Sequence, residues 1–237
     1  MIEINNLTKK FDNLIAVNDF SLSIKQGETL GLVGESGSGK STLARLILKL
    51  IEPDSGQIDY QGIGNIRREC QLVFQDPQNS LNPRIRVGEA IGEPILIHNL
   101  LPRTVIADRV ASLLELVKLP AAYAKRFPHE LSGGERQRVG IARAIAGEAK
   151  FLILDEPVSA LDVFIQVEIL KLLKELKTRL GLTYLFIAHD LSVIGYLSDR
   201  IAVMKGGRLI ELGEKKTVLT APREEYTRKL LAASPRF

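Results

Sequence analysis

The sequence predicts an α/β protein. Its core should be a mainly parallel sheet, with an antiparallel β subdomain at the N-terminus and an inserted α-helical subdomain. Three observations carry this expectation. Residues 34–41 read Gly-Glu-Ser-Gly-Ser-Gly-Lys-Ser, with an apolar strand pattern before them and a helical pattern after. From Phe151 onward, apolar runs alternate with helical patterns, as they do where helices join the strands of one sheet. Between these regions lies a proline-punctuated stretch with helical patterning.

The elements follow in order. Ile2, Ile4 and Leu7 begin a strand, and Phe20–Ile24 alternates apolar with polar residues as a half-buried strand does. Lys25–Glu28 reads as a turn, Thr29–Val33 as a buried strand and Ser41–Leu50 as a helix. Pro53–Gly56 is a second turn before a short strand, Gln57–Tyr60, and Gln71–Phe74 is an apolar run suited to another strand. Prolines 77, 83, 94, 102, 120 and 128 then set off helical segments. The clearest is Val105–Leu119, whose Leu113, Leu114, Leu116, Val117 and Leu119 form an apolar face. The helical subdomain is expected over residues 76–145, with 1–75 and 146–237 forming the core of one domain. Phe151–Leu154 is a continuous apolar run typical of a central parallel strand. Helix 163–180, strand 183–188, helix 191–196 and strand 200–204 come next. Lys205-Gly-Gly207 turns the chain into a hairpin partner at 208–213, and helix is expected over 215–232.

Composition narrows the setting. With 237 residues, 45% of them hydrophobic, a sizeable core is possible. The net charge of +4 arises from 32 basic and 28 acidic residues that are interspersed, so no nucleic-acid partner is expected. Cys70 is the sole cysteine, which excludes an internal disulfide and suits a reducing compartment as a small buried hydrophobe. The chain opens like a strand rather than a signal peptide, and no apolar run approaches about 18 residues. These features point to a soluble protein that leaves any membrane crossing to other subunits.

Residues 34–41 fit G-x-x-x-x-G-K-[ST], the loop that cradles nucleotide phosphates. Gly34, Glu35, Ser36, Gly37, Ser38 and Gly39 turn backbone N–H groups toward one anion, and the following helix aims its N-terminus there. Lys40 is placed to reach the β- and γ-phosphates, Ser41 to hold Mg²⁺, and Thr42 continues the site. The strand Phe151–Leu154 ends in two carboxylates. Asp155 would serve Mg²⁺ directly or through water, and Glu156 would reach a water in line with the γ-phosphate. Leu131-Ser-Gly-Gly-Glu-Arg-Gln-Arg138 is a second anion site at a helix start. In a chain that already has one, it suits the far side of a nucleotide held by another copy or a partner.

Leu-Ser-Gly-Gly-x-Arg-Gln-Arg resembles the signature of ATP-binding-cassette ATPases, and the other motifs follow in that family's order over nearly the whole chain. The resemblance implies a P-loop NTPase core and ATP with Mg²⁺ as ligands. It implies that Ser132, Gly133 and Gly134 bind ATP held by a second cassette, either the same chain or a paralogue. It places Gln75 on Mg²⁺ and the attacking water, at the start of a segment that contacts transmembrane permeases. His189 resembles the switch histidine that holds the γ-phosphate and orients Glu156. Asp162, in Ser159-Ala-Leu-Asp162, resembles the acid of the loop at the dimer interface, and Phe11 the aromatic that stacks on adenine. His98 and His129 read as a loop or contact residue and a turn residue.

Val73–Arg84, Asp155–Val163 with Ile165-Gln166, and His189–Val193 resemble the peptide- and nickel-importer group. So does the tail Glu225-Tyr-Thr-Arg-Lys-Leu-Leu-Ala232, although Arg223–Glu225 follow Pro222 here and Phe164 replaces a commoner small residue. The group implies two permease subunits, an extracytoplasmic binding protein acting indirectly, and a peripheral place on the cytoplasmic side of the inner membrane. A soluble ATPase accessory, such as one serving phosphonate carbon–phosphorus lyase, and a nucleic-acid- or ribosome-linked cassette are the other classes.

Overall fold

A computed structural model describes residues 1–74 and 81–233. Two sheets form its framework. The smaller is antiparallel, in the order β2-β1-β4, built from β1 (Ile2–Phe11), β2 (Leu14–Ile24) and β4 (Ser55–Tyr60). Ile2 faces Ile24 on one side and Tyr60 on the other, and Ile4 faces Leu22 and Ile58. The larger sheet has the order β5-β6-β7-β3-β8-β9. It joins β5 (Cys70–Val73), β6 (Phe151–Asp155), β7 (Thr183–Ala188), β3 (Thr29–Val33), β8 (Arg200–Lys205) and β9 (Arg208–Glu214). Its strands are parallel except β9, which pairs antiparallel with β8 across the Gly206-Gly207 turn.

Strand periodicity divides the core. Leu152, Leu154, Tyr184, Phe186, Ile201 and Val203 face one cluster, shared with the helices of residues 87–146. Phe151, Ile153, Leu185, Ile187, Ala202 and Met204 face a second, shared with the antiparallel sheet and with α1 (Lys40–Ile47). Both faces of the large sheet are therefore dry, which is why its central strands read as unbroken apolar runs.

Among the described residues the α-helices are α1, α2 (Ile66–Glu69), α3 (Val87–Ile97), α4 (Ile106–Leu116), α5 (Gly133–Ala146), α6 (Val163–Leu180), α7 (Leu191–Leu197), α8 (Lys215–Thr220) and α9 (Glu225–Ala233). Three expectations need correction. The first helix stops at Ile47 rather than Leu50, because Lys49 turns to φ 51. Pro94 does not break its segment: it lies inside α3, whose Val87, Ala90, Ile91 and Ile95 are buried, and packing outweighs the lost hydrogen bond. The closing helix is two helices. Pro222 disfavours helical geometry in the residue before it, and Arg223 and Glu224 instead donate their N–H groups to Glu211 at 2.9 and 3.2 Å. Gln75 and the residues to 80 lie outside the described residues, so the expectation for Gln75 has no structural counterpart here.

A candidate nucleotide site at the ends of the parallel strands

Strand order decides what meets at the site. β7 lies between β3 and β6, so the carboxyl ends of the three strands deliver the phosphate loop, Asp155–Glu156 and His189 to one edge of the sheet. This edge is where ligands bind in open parallel sheets.

The loop is tight. A side chain at Gly34 would place its Cβ 2.1 Å from the Met204 carbonyl oxygen, and Gly39, at φ 108, allows close approach to the Ala16 carbonyl. The buried Lys40 folds back onto the loop. Its Nζ donates to the carbonyls of Gly34 at 2.7 Å and Glu35 at 2.9 Å, and to Ser38 Oγ at 3.4 Å. Burial pushes the Lys40 amine below its ordinary value, while the charges of Glu156 and Asp155 pull it back up. Asp155 behaves inversely: burial raises its carboxyl, and a hydrogen bond from the Ser41 side chain opposes the rise. Ser41 and Asp155 are thus direct neighbours.

Glu156 has φ 48, and its N–H donates to the Ile187 carbonyl at 2.9 Å, which locks it beside the end of β7. His189 Nδ1 lies 3.3 Å from Glu156 Oε2. Both residues line an open cavity of about 510 Å³, together with Ser36, Gly37, Gly39, Lys40, Ser41 and Thr42. Phe11, at the end of β1, and Leu14 and Ala16 of β2 complete its wall. Phe11 is 44% exposed, and Lys9 Nζ lies over its ring at 5.6 Å from the centroid, within cation–π range. Leu14 and Ala16 escape sequence reasoning because their role comes from β2 passing over the loop.

Ser132–Gly134 and Asp162 do not line this cavity. Ser132 caps α5: its side chain accepts from the Glu135 N–H, and the Glu135 carboxylate accepts from the Ser132 N–H at 2.8 Å. That second bond, above all, holds the Glu135 carboxyl below its usual range. Asp162 caps α6 by accepting from the Ile165 N–H at 3.0 Å. The two helix starts touch, since a Cβ on Gly134 would fall 2.6 Å from Ile165 Cγ2 and one on Gly133 3.4 Å from Leu161 Cδ2. The structure thus gathers Phe11, the phosphate loop, Asp155, Glu156 and His189, and sets Ser132–Gly134 beside Asp162 elsewhere.

A family described as ABC transporter matches residues 17–159. The oligopeptide transport ATP-binding proteins OppF of Streptococcus mutans and Bacillus subtilis are 46% and 47% identical to this chain. Each alignment covers 99% of this chain and 82% of the relative. A putative peptide import ATP-binding protein of Brucella abortus is 48% identical, over 94% of this chain and 70% of its own length. Among solved structures, cbiO1 from Clostridium perfringens, part of the ABC transporter complex cbiONQ, aligns at TM-score 0.82. It is 32% identical and covers 98% of this chain and 94% of its own. A dimeric ATP-binding cassette in a post-hydrolysis state with ADP and phosphate aligns at 0.79. It is 30% identical, over 91% of this chain and 99% of its own. Taken with the phosphate loop and the two carboxylates behind it, these matches establish that the chain belongs to the ABC transporter family of ATP-binding proteins.

Proposed function

We propose that this chain is the ATP-hydrolysing subunit of a peptide importer, a single nucleotide-binding domain whose helical part spans residues 76–145. One observation carries the reading. The phosphate loop, Glu156, His189 and Phe11 line one cavity, while Ser132–Gly134 sits off its wall. A second anion-binding helix start that faces elsewhere suits ATP held by another cassette, so two chains, or this chain and a paralogue, would share two nucleotides head to tail.

Within the site, the phosphate-loop N–H groups and Lys40 bind the phosphates. Two N–H groups of Lys40 rest on the Gly34 and Glu35 carbonyls, and the third, now near Ser38 Oγ at 3.4 Å, can turn to a phosphate oxygen. Phe11 stacks on the base. Ser41 and Asp155 suit a divalent cation, since both present oxygen to one point and burial makes the Asp155 charge costly without a cation. Bound there, Mg²⁺ would supply positive charge against the phosphate oxygens, with Gln75 as a further proposed ligand. Glu156 accepts a hydrogen bond from the attacking water and aligns it. His189, at 3.3 Å, orients Glu156 and holds the γ-phosphate. Positioning and charge stabilisation are the main catalytic terms.

Peptide is the cargo that the relatives' names support. Among the described residues no helix is long and apolar enough to cross a membrane; in the proposed arrangement the cargo passes through partner permeases that span the membrane, and this chain docks on their inner side. The test is Glu156→Gln. The variant should bind ATP as the wild type does, lose steady-state hydrolysis by at least about a hundredfold, and form a dimer in light scattering only when ATP is present. Undiminished turnover would refute the assignment.

A further inference from the structure

The mechanism leaves α9 without a role, yet α9 touches the phosphate loop. The Glu35 N–H donates to Tyr226 Oη at 3.3 Å. That N–H belongs to the same planar peptide unit as the Gly34 carbonyl. The Gly34 carbonyl accepts Lys40 Nζ at 2.7 Å. One rigid plane is therefore held from two sides, by Lys40 within the loop and by Tyr226 outside it. Rotating the plane to loosen one bond loosens the other.

The outer support is itself anchored. Glu211 of β9, buried, accepts from the Arg223 and Glu224 N–H groups at the entry to α9. Lys205 Nζ lies 4.5 Å from the centroid of the Tyr226 ring, within cation–π range. Lys205 ends β8, and in the turn that follows, Gly207 N–H donates to the Ser38 carbonyl at 2.9 Å. Hairpin and C-terminal helix thus brace the loop at residues 38 and 35.

We propose that Tyr226 is a positioning residue for nucleotide binding: through the 34–35 peptide plane it fixes where Lys40 rests, and so sets the loop's affinity for a nucleoside triphosphate. This inference rests on residues 34–42 being the nucleotide site. Without the hydroxyl, the loop must be ordered by the ligand itself, and affinity falls by that cost.

The experiment is titration of the full chain with a methylanthraniloyl derivative of ATP, paired with steady-state ATPase kinetics and thermal unfolding. Tyr226→Phe keeps the ring over Lys205 and removes only the hydroxyl. It should weaken binding and raise KM about three- to tenfold, the range of one neutral hydrogen bond. Its kcat should stay within about twofold and its melting temperature within about 2 °C, since one exchanged contact at a half-exposed site moves stability little. Glu225→Gln, on the same helix but in an exposed pair with Lys229, should bind as the wild type does. Unchanged affinity in Tyr226→Phe, or an equal loss in Glu225→Gln, would overturn the inference. Failure of the wild type to bind the probe would instead overturn the reading of residues 34–42.

Discussion

Gly134→Ala puts the contact between the two helix starts under direct strain. The added Cβ would stand 2.6 Å from Ile165 Cγ2, where ordinary contact begins near 3.4 Å. Ile165 is β-branched and on a helix, so its methyl has no free rotamer to move into. The start of α5 must shift from α6 by roughly 1 Å, and overpacking of this kind costs about 1–3 kcal/mol. Alanine returns about 0.5–1 kcal/mol through its better helical propensity, which leaves a net change between about zero and a loss of about 2.5 kcal/mol. The assay is urea unfolding of the wild type, Gly134→Ala, Ile165→Ala and the double variant. Ile165→Ala removes the obstructing methyl, so the double variant should be more stable than additivity allows, by about 1 kcal/mol. In a Glu156→Gln background, Gly134→Ala should also weaken ATP-dependent dimerisation, because Ser132 and Gly133 move with the helix. Additivity within about 0.3 kcal/mol would refute the reasoning.

Two further outcomes follow from groups away from the cavity. Burial pushes the Glu69 carboxyl up, but hydrogen bonds from Lys150, Arg68 and the Gly64 N–H prevail and hold it down at about 2. A carboxylate lowered in this way stabilises the fold above its ordinary value of 4.5, and the contribution disappears as pH falls from there toward 2. Glu69→Gln should therefore cost about 2 kcal/mol at pH 7, after discounting for the half-exposed Lys150, and the gap in denaturant midpoint should close below pH 4.5. A gap independent of pH would contradict this account. Asp162→Ala removes the α6 cap and should cost about 1 kcal/mol in urea unfolding. It should leave nucleotide affinity of the isolated chain unchanged, because Asp162 is off the cavity wall; weaker binding by the monomer would show otherwise.

Much of the fold was legible because its signals are local. Thr29–Val33, Phe151–Asp155 and Thr183–Ala188 announce themselves as apolar runs, and helix 163–180 is bounded by an Asp cap and a left-handed Gly181. Where proline was the signal, the outcome depended on what surrounded it. Pro94 is absorbed in α3 because that helix buries one apolar face, whereas Pro222 divides α8 from α9 because Glu211 offers the freed N–H groups another partner. For the candidate site, the sequence supplied residue types and left their geometry open. Sequence placed Lys40 at the phosphates, yet no local pattern reveals that its amine rests on two carbonyls of its own loop. Leu14, Ala16 and Tyr226 are further from the loop in sequence than any motif reaches. They meet it only because β2 and α9 return over the ends of the parallel strands.

The alternation of the large sheet between two hydrophobic clusters has a mechanical reading. The helices of residues 87–146 press on one face, while α1 and the antiparallel sheet rest on the other. A push on those helices is spread across a stiff β-layer before it reaches the base of α1. The phosphate loop hangs from the rim of that layer, where β3 ends. Force entering from the helical side would thus reach a nucleotide at the edge through the sheet.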